Sequence, residues 1–295
     1  MKKIFIAGGG GMLGEAFYQK FKNEYEILIT DKDVNEDWIT HLDFRNYDDY
    51  LSSVVKFSPN YLFHLGAYTD LEFCEKNSDD TYNTNTISVE YAVNIANDLN
   101  IPILYISTAG IFDGEKDLYD DWDSPNPLGV YARSKYMGEK YVVENAKRYL
   151  VCRAGWMMGG GPKKDKKFIQ KIINQIKNNK KELFIVNDKD GTPTYTHDFA
   201  LNVKLLIEKE MWGLYNMVCG GETSRMEVAE EILKIYNLED EIKLTSVSSD
   251  YFKDIYFAER PISERLINKK LNLKKLNIMR DWRISLNDYI KNYYL

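Results

Sequence analysis

Short apolar segments alternate with helix-like segments through the first half of this sequence. Residues Ile87, Tyr91, Ile95 and Leu99 recur at every fourth position, which predicts the buried stripe of a helix that packs on a sheet. Five apolar segments have the length of buried parallel strands: residues 3–7, 26–30, 61–65, 103–107 and 149–153. The alternation predicts an α/β fold with a Rossmann-type doubly wound parallel sheet.

The alternation loosens after residue 157, where three glycines and Pro162 form a breaker cluster. A chain of 295 residues also reaches the size, about 250 to 300 residues, at which a single core stops growing. We predict a dinucleotide-binding Rossmann domain over residues 1–157, to which residues 194–219 return as a helix and a strand. Residues 158–193 and 220–295 are predicted to form a smaller substrate-binding lobe.

A lysine-rich segment follows the breaker cluster. Residues 163–181 include eight lysines, while Phe168, Ile172 and Ile176 stand four residues apart. The apolar spacing predicts an amphipathic helix with a solvated lysine face rather than an anion-binding strip. Similar apolar spacing predicts further helices around residues 228–236 and 286–294.

The net charge of -6 disfavours nucleic acid or an anionic membrane as partner, because both require a positive surface. The first apolar run is only four residues long, too short for a signal-peptide core or a membrane span. The three cysteines lack CxxC spacing, so we expect free, buried thiols and a cytoplasmic protein. The three histidines form no cluster, and no metal site is predicted.

The first predicted strand leads directly into a glycine-rich loop. Gly8, Gly11 and Gly14 stand three residues apart in a GxxGxxG pattern that opens a predicted helix. Such glycines permit a tight turn and let backbone N–H groups approach a pyrophosphate, so the loop predicts dinucleotide binding; a tight turn without ligand is the alternative. Asp31 ends the second strand and is placed to accept hydrogen bonds from the adenosine ribose, which favours NAD over NADP. The alternative is a solvated acid.

Tyr131 and Lys135 form a YxxxK motif in a predicted helix that continues to about Ala146. Residues four apart lie on one helix face, so the phenol and the ammonium are expected to be neighbours. A positive charge beside a phenol favours the phenolate and makes tyrosine a proton shuttle. Because the nucleotide loop lies upstream and Ser107 and Thr108 end the preceding strand, we interpret the motif as catalytic rather than as ordinary surface residues.

Taken together, these motifs resemble the extended short-chain dehydrogenase/reductases and, within them, the dTDP-4-dehydrorhamnose reductase family. The resemblance runs nearly end to end. Its matching segments are GGGGMLG at 8–14, HLGAYTD at 64–70, NTISVE at 85–90, ST at 107–108, FDG at 112–114, VYARSKYMGE at 130–139, RAGW at 153–156, NDKDGTPT at 187–194, GETS at 221–224, and RP at 260–261 with Ser263.

The resemblance implies roles for individual residues. Thr108 would bind the 4-keto oxygen of a sugar, Tyr131 would donate a proton, and Lys135 would hold the nicotinamide ribose and tune Tyr131. The cofactor-binding set implied by the loop and the family is Gly8, Gly11, Met12, Leu13, Asp31, Asp43, Phe44, Gly66, Ala67, Tyr68, Tyr131 and Lys135. The implied substrate-binding set is Thr69, Asn85, Trp156 and Arg260, with Asn85 also supporting Lys135. Asn85 could instead be a helix-face amide and Trp156 a core aromatic.

The family typically has Ser-Thr-Asp-Tyr where this chain has Ser107-Thr108-Ala109-Gly110. Loss of the acid argues against elimination chemistry from this position and leaves a roomier, less polar sugar pocket. The expected activity is therefore NAD(P)H-dependent reduction of the 4-keto group of a nucleotide-activated deoxysugar of open identity. The alternatives are an epimerase that retains NAD and a non-catalytic regulatory subunit. A homodimer is left open.

Overall fold

The computed structural model describes residues 1–295. A seven-stranded parallel sheet has the order β11-β6-β5-β4-β1-β2-β3. Its strands are β1 Lys2–Ala7, β2 Tyr25–Asp31, β3 Ile39–His41, β4 Tyr61–His64, β5 Ile103–Thr108, β6 Tyr149–Ala154 and β11 Gly213–Asn216. The chain crosses over between β1 and β4, so the carboxyl ends of the central strands open at one edge. The Rossmann-type prediction and all five predicted strands are confirmed.

The remaining strands form small sheets. β7 Trp156–Met158 pairs with β10 Pro193–Tyr195, and β8 Glu182–Val186 pairs with β13 Lys243–Val247. A three-stranded sheet joins β9 Asp190–Gly191 to β12 Thr223–Ser224 and β14 Ser263–Glu264. The short pairings bring residues 156, 191, 224 and 264 together, and the chain returns to the large sheet with β11 between β10 and β12.

Twelve α-helices accompany the strands. They are α1 Met12–Phe21, α2 Tyr47–Phe57, α3 Leu71–Lys76, α4 Ser78–Tyr82, α5 Ser88–Asp98, α6 Val130–Asn145, α7 Gly161–Lys164, α8 Phe168–Lys177, α9 Thr196–Glu208, α10 Arg225–Tyr236, α11 Lys269–Leu273 and α12 Trp282–Tyr293. A π-helical turn spans Asn83–Ile87. None of the helices combines the length and apolar character needed to cross a membrane.

Alternate residues of β1 face two different apolar layers, as the strand geometry requires. Ile4 and Ile6 join a cluster of 43 buried residues that continues through α9 into α12. Phe5 and Ala7 join a separate cluster of 16 buried residues beneath α2 and α5. The larger cluster links the sheet to the last helix without interruption. The division of the chain into the two predicted domains stays a prediction.

The predicted stripe on α5 is only partly right. Ile95 is fully buried, but Ile87 is exposed and Tyr91 and Leu99 are half-buried. The face that packs on the sheet is made of smaller residues, chiefly Val89, Ala92, Val93 and Ala96. Ile87 belongs to the π-turn and not to the regular repeat of α5. A strict spacing of four also drifts against 3.6 residues per turn, so Tyr91 and Leu99 lie at the edges of the buried face.

Candidate active site

The glycine-rich loop forms the floor of a crevice at the carboxyl edge of the sheet. Gly8 has a φ of +78°, and a Cβ there would lie 2.2 Å from the Cα of Gly66. A Cβ on Gly14 would lie 1.9 Å from the carbonyl oxygen of Gly9. Gly11 has open space around its Cβ position. Two glycines are thus required by close backbone approach, and the third leaves the crevice accessible.

The crevice ends at the first turn of α1. Gly11 is the N-cap of this helix and provides no side-chain hydrogen bond to it. The N–H groups of the first turn, which includes Met12 and Leu13, therefore lack helical partners and carry the positive end of the helix dipole. An anionic diphosphate is the kind of group that such a turn binds.

Asp31 lies beside this loop at the end of β2. Its Oδ2 accepts a hydrogen bond from the N–H of Gly10 at 2.8 Å, and its Oδ1 accepts one from the N–H of Asp33 at 2.9 Å. A cavity of about 360 Å³ opens here. It is lined by Gly10, Gly11, Asp31, Asp33, Asn35, Lys163, Lys164 and Lys166. The carboxylate is thus oriented by backbone donors and borders the cavity at the place predicted for the ribose.

Phe44 and Asp43 occupy the opposite side of the crevice. A Cβ on Gly66 would lie 2.2 Å from the Phe44 ring, so the glycine allows the aromatic ring to cover the loop that continues through Ala67 and Tyr68. Asp43 accepts hydrogen bonds from Arg45 Nε at 2.8 Å and from Arg45 Nη2 at 2.6 Å. The Arg45 guanidinium lowers the pKa of the Asp43 carboxyl. Sequence reasoning missed Arg45, which also donates to the Tyr68 hydroxyl at 3.3 Å.

The solvated lysine face predicted over 163–181 is confirmed except at Lys164. The α8 helix begins only at Phe168, and before it Lys164 reaches the glycine-rich loop. The Lys164 side chain is 3% exposed and donates to the carbonyl oxygen of Gly10 at 3.1 Å. Lys167 Nζ donates to the carbonyl oxygen of Thr69 at 2.8 Å. Gly160 and Gly161 have positive φ and redirect the chain here, so Lys164 contacts backbone oxygens while its neighbours Lys163 and Lys166 stay exposed.

The predicted catalytic residues meet where β5 ends. Thr108 is the last residue of β5, and its hydroxyl accepts a hydrogen bond from the N–H of Gly110 at 3.1 Å. Tyr131 and Lys135 both lie on α6, one turn apart. The Lys135 Nζ lies 4.2 Å from the centroid of the Tyr105 ring, and its side chain is buried. The Thr108 hydroxyl is close enough to the Tyr131 phenol to lower the pKa of the phenol.

The acid–base properties of this pair differ from the expectation. Burial raises the pKa of Tyr131 to about 12, a change that the Thr108 hydroxyl opposes and the nearby charge of Glu264 reinforces. Burial lowers the pKa of Lys135 to about 7, and only Glu139 opposes that change. Desolvation disfavours the charged form of both groups. Tyr131 is therefore a protonated phenol at neutral pH, the form that can donate a proton.

Asn85 is buried behind the catalytic helix, within the π-turn. Its Oδ1 accepts from the N–H of Tyr68 at 2.8 Å, and its Nδ2 donates to the carbonyl oxygen of Tyr68 and to Ser134 Oγ. These contacts connect the loop 66–68 to α6. Asn85 does not make the predicted contact with a substrate, because the donors and the acceptor of its amide are all bound to protein groups. Its geometry fits a positioning residue.

A buried ion pair supports α6 from below. Arg153 on β6 and Glu139 on α6 are 4% and 2% exposed, and Arg153 Nη2 lies 2.6 Å from Glu139 Oε1. Arg153 Nε donates to both carboxylate oxygens at 3.0 and 3.2 Å. This forked pairing fixes the rotation of α6, the helix that carries Tyr131 and Lys135.

The residues predicted to bind substrate have distinct surroundings. Trp156 is half-buried and donates its indole N–H to Glu264 Oε2 at 2.8 Å. Thr69 accepts two hydrogen bonds from Lys167. Arg260 forms an ion pair of 2.8 Å with Glu72, so its charge is already matched within the protein. Trp156 is therefore the member of this set whose polar partner, Glu264, was not predicted from the sequence.

Two charged residues beside Trp156 were not predicted from the sequence. Glu264 reaches the active site from β14, and its Oε1 lies 3.3 Å from the position that a Cβ on Gly110 would occupy. Arg225, at the start of α10, places its guanidinium 3.6 Å from the Trp156 ring centroid and forms no ion pair within 4 Å. Burial lowers the pKa of Arg225 to about 10. The sequence did contain one signal. Ala109 and Gly110 replace the polar residues that are usual in the family, and the space beside them can be approached by a residue of another segment.

A family model described as the RmlD substrate binding domain matches residues 1–295. The chain belongs to the RmlD family. The dTDP-4-dehydrorhamnose reductase of Aggregatibacter actinomycetemcomitans is 30% identical over 216 residues, which are 72% of this chain and 70% of the relative. The family predicted from the motifs is confirmed.

Solved structures agree with this membership of the RmlD family. A dTDP-4-dehydrorhamnose reductase from Clostridium acetobutylicum superposes with a TM-score of 0.89 at 30% identity, and the match covers 98% of this chain and 99% of that one. The corresponding reductase from Bacillus anthracis, in complex with NADP, gives a TM-score of 0.90 at 27% identity over 99% of this chain and 100% of that one. The RmlD-family fold thus extends over both the large sheet and the later small sheets.

Proposed function

We propose that this RmlD-family chain reduces the 4-keto group of a nucleotide-activated deoxysugar, with NADH or NADPH as the hydride donor. The observation that carries the proposal is the Thr108 hydroxyl at the end of β5 beside the Tyr131 phenol, with Lys135 one turn further along α6. Solved reductases of dTDP-4-dehydrorhamnose share this fold over nearly their full length.

The crevice fits a dinucleotide. Gly11 leaves open space at its Cβ position, and the uncapped first turn of α1 offers N–H groups to a diphosphate. A nicotinamide dinucleotide held here would supply the hydride for reduction of the carbonyl carbon. The residues that we assign to holding the dinucleotide are Gly8, Gly11, Met12, Leu13, Asp31, Asp43, Phe44, Gly66, Ala67, Tyr68, Tyr131 and Lys135.

The chain itself handles the oxygen of the ketone. Thr108 Oγ1 and the Tyr131 phenol donate hydrogen bonds to this oxygen, which orients the carbonyl and stabilises negative charge as it develops. Tyr131 keeps its proton at neutral pH because burial raises the pKa of the phenol, and it releases the proton when the oxygen becomes an alkoxide. A protonated Lys135 then stabilises the tyrosinate and binds the nicotinamide ribose.

We assign the sugar to the side of the cleft that Trp156 and Thr69 line. The half-buried Trp156 ring is oriented by its hydrogen bond to Glu264, and the Thr69 hydroxyl is held in place by Lys167. Asn85 acts as a positioning residue because it connects the loop at Tyr68 to Ser134. Arg260 affects the sugar through the segment that it fixes by its ion pair with Glu72.

The ribose side of the crevice supports NAD as the better cofactor. The Asp31 carboxylate, oriented by the N–H groups of Gly10 and Asp33, is suited to accept hydrogen bonds from two ribose hydroxyls. A 2'-phosphate would meet this negative charge, although Lys163 and Lys164 line the same cavity. We expect a lower KM for NADH than for NADPH in steady-state assays, and Asp31→Asn should reduce the difference.

The direct test is incubation of the purified chain with NADH or NADPH and a panel of 4-keto-6-deoxy nucleotide sugars, followed at 340 nm. Oxidation of the cofactor with at least one sugar is expected. Absence of oxidation with every sugar would contradict the proposal. Tightly retained NAD and interconversion of sugar epimers would instead favour the epimerase, whereas capture of a stable enzyme partner without turnover would favour the regulatory subunit.

A further inference from the structure

Glu264 is a carboxylate in the active-site cleft with one unused oxygen. Its Oε2 accepts the indole N–H of Trp156 at 2.8 Å, while its Oε1 accepts no hydrogen bond from the protein. No lysine or arginine nitrogen lies within 4 Å of the carboxylate, although Lys189 and Arg225 are near enough that the Glu264 charge opposes the lowering of their pKa values by burial. Glu264 is half-buried, and its Oε1 faces the space beside Gly110, where a bound sugar can reach it.

The free oxygen lies beside the reacting position. The Cβ position of Gly110 is 3.3 Å from Glu264 Oε1 and 3.5 Å from Thr108 Oγ1, so the two oxygens are less than about 7 Å apart. The charge of Glu264 also raises the pKa of Tyr131, which places the carboxylate within electrostatic reach of the phenol. One sugar ring can bridge this separation, with its ketone oxygen at Thr108 and a neighbouring substituent at Glu264.

The carboxylate is also held in a fixed direction. β14 pairs with β9, where Gly191 allows the Trp156 ring to lie against the backbone, and the Trp156 N–H then anchors Oε2. The Arg225 guanidinium covers the other face of the indole. Because Gly110 has no side chain, nothing from β5 occupies the space in front of Oε1. A segment distant in sequence thus supplies the polar group that Ala109 and Gly110 lack.

We propose that Glu264 is a specificity-determining residue whose Oε1 accepts a hydrogen bond from a hydroxyl or amino substituent on the sugar carbon beside the ketone. The inference rests on the proposed reductase function. It specifies the substrate class as nucleotide sugars with a hydrogen-bond donor at that carbon. A deoxy sugar would leave the carboxylate oxygen desolvated and unpaired, which a polar site discriminates against strongly.

The test compares Glu264→Gln with the wild-type chain on nucleotide-sugar ketones that carry a hydroxyl, an amino group or hydrogen at the neighbouring carbon. A hydrogen bond to a charged group corresponds to about a tenfold effect or more. We therefore expect kcat/KM to fall about tenfold or more for the hydroxyl and amino sugars, mainly through KM, and to change less than about twofold for the deoxy sugar. A larger fall for the amino sugar would identify an ammonium ligand.

Two controls separate this result from damage to the fold. Glu259→Gln changes an exposed residue of the same segment and should leave all three values unchanged. The amide oxygen of Glu264→Gln can still accept the Trp156 N–H, so tryptophan fluorescence and the thermal midpoint should match those of the wild-type chain. Equal losses for all three sugars, or no loss, would overturn the role of Glu264.

A binding experiment tests the role of Glu264 independently of turnover. If the wild-type chain reduces none of the ketones, the reductase proposal fails, but calorimetric titration with sugar nucleotides still tests Glu264. A dTDP-hexose and its deoxy counterpart at the relevant carbon are the probes. The wild-type chain should bind the hydroxyl form about tenfold more tightly, and Glu264→Gln should remove that preference. Equal affinity of the wild-type chain for both forms would contradict the inference.

Discussion

The dinucleotide crevice and the sugar side of the cleft are assembled in different ways. The crevice consists of consecutive residues at the ends of parallel strands, and its contacts are mostly backbone contacts such as that between Gly8 and Gly66. The sugar side consists of single side chains from distant segments, among them Trp156, Arg225 and Glu264. Backbone geometry at strand ends suits a ligand common to many enzymes, whereas single side chains can be exchanged to suit different sugars.

Tyr131 lies between the two regions, and its removal should produce the largest effect. Tyr131→Phe deletes the proton donor and keeps the ring, so kcat should fall by about 10²- to 10⁴-fold. The cofactor Kd, measured by NADH fluorescence, should change less than about threefold, because phosphate and ribose contacts lie elsewhere. Tyr141→Phe on the same helix is the control and should be nearly silent. Residual activity above a tenth of the wild-type value would show that another group donates the proton.

The ion pair beneath α6 supports both regions at once. Arg153→Met leaves the buried Glu139 carboxylate without its partner, which should lower the free energy of unfolding by about 3 to 5 kcal/mol. Lys140→Met removes an exposed pair with Glu144 on the same helix and should cost at most about 0.5 kcal/mol. Urea unfolding followed by circular dichroism compares the two variants. Equal losses would indicate that the buried pair is not specifically important.

Gly8 tests whether the crevice depends on backbone approach. In Gly8→Ala the new methyl group would meet Gly66, and the positive φ would add strain of about 1 to 3 kcal/mol. We expect the Kd for NADH to rise about tenfold or more, with a parallel loss of stability. Gly220→Ala is the matched control, since its nearest neighbours lie at 3.8 Å and its φ is not positive. Unaltered cofactor affinity in Gly8→Ala would contradict the proposed path of the dinucleotide.

Lys164 borders the dinucleotide crevice and should give the smallest effect. Lys164→Met removes the hydrogen bonds to Gly10 and Asn35 but keeps an apolar side chain over the Trp38 ring. The Kd for NADH should rise about three- to tenfold, because each lost hydrogen bond contributes about 1 kcal/mol. The exposed Lys180→Met variant should match the wild-type chain. A change in the sugar KM without any change in cofactor affinity would assign Lys164 to the sugar side.

The sequence predicted the crevice well because its determinants are local. A strand, a glycine turn and a helix follow one another within residues 2–21, and the YxxxK motif lies within one helical turn. Such patterns do not depend on contacts with distant segments. The buried face of α5 could not be predicted in the same way, because it consists mainly of small residues and the π-turn before it has no distinctive residue pattern.

The sugar side could be predicted only where the family pattern applied. Trp156 and Thr69 were found by resemblance, but Glu264 approaches Gly110 from a position more than 150 residues later in the chain. Lys164 was misinterpreted because a run of lysines before an apolar stripe is usually solvated. The expected lowering of the pKa of Tyr131 was wrong because the motif shows the charge of Lys135 but not the degree of burial.

The core of 43 residues has a practical consequence for exchanging parts between relatives. Trp282, Leu286, Tyr289 and Ile290 on the last helix are buried in the same cluster as Ile4 and Ile6 on the first strand. A chimaera that joins the amino-terminal half of this chain to the carboxyl-terminal half of another reductase would place unmatched side chains in one shared interior. Changes of sugar preference should therefore be grafted as single residues on loops, and α12 should remain with its own sheet.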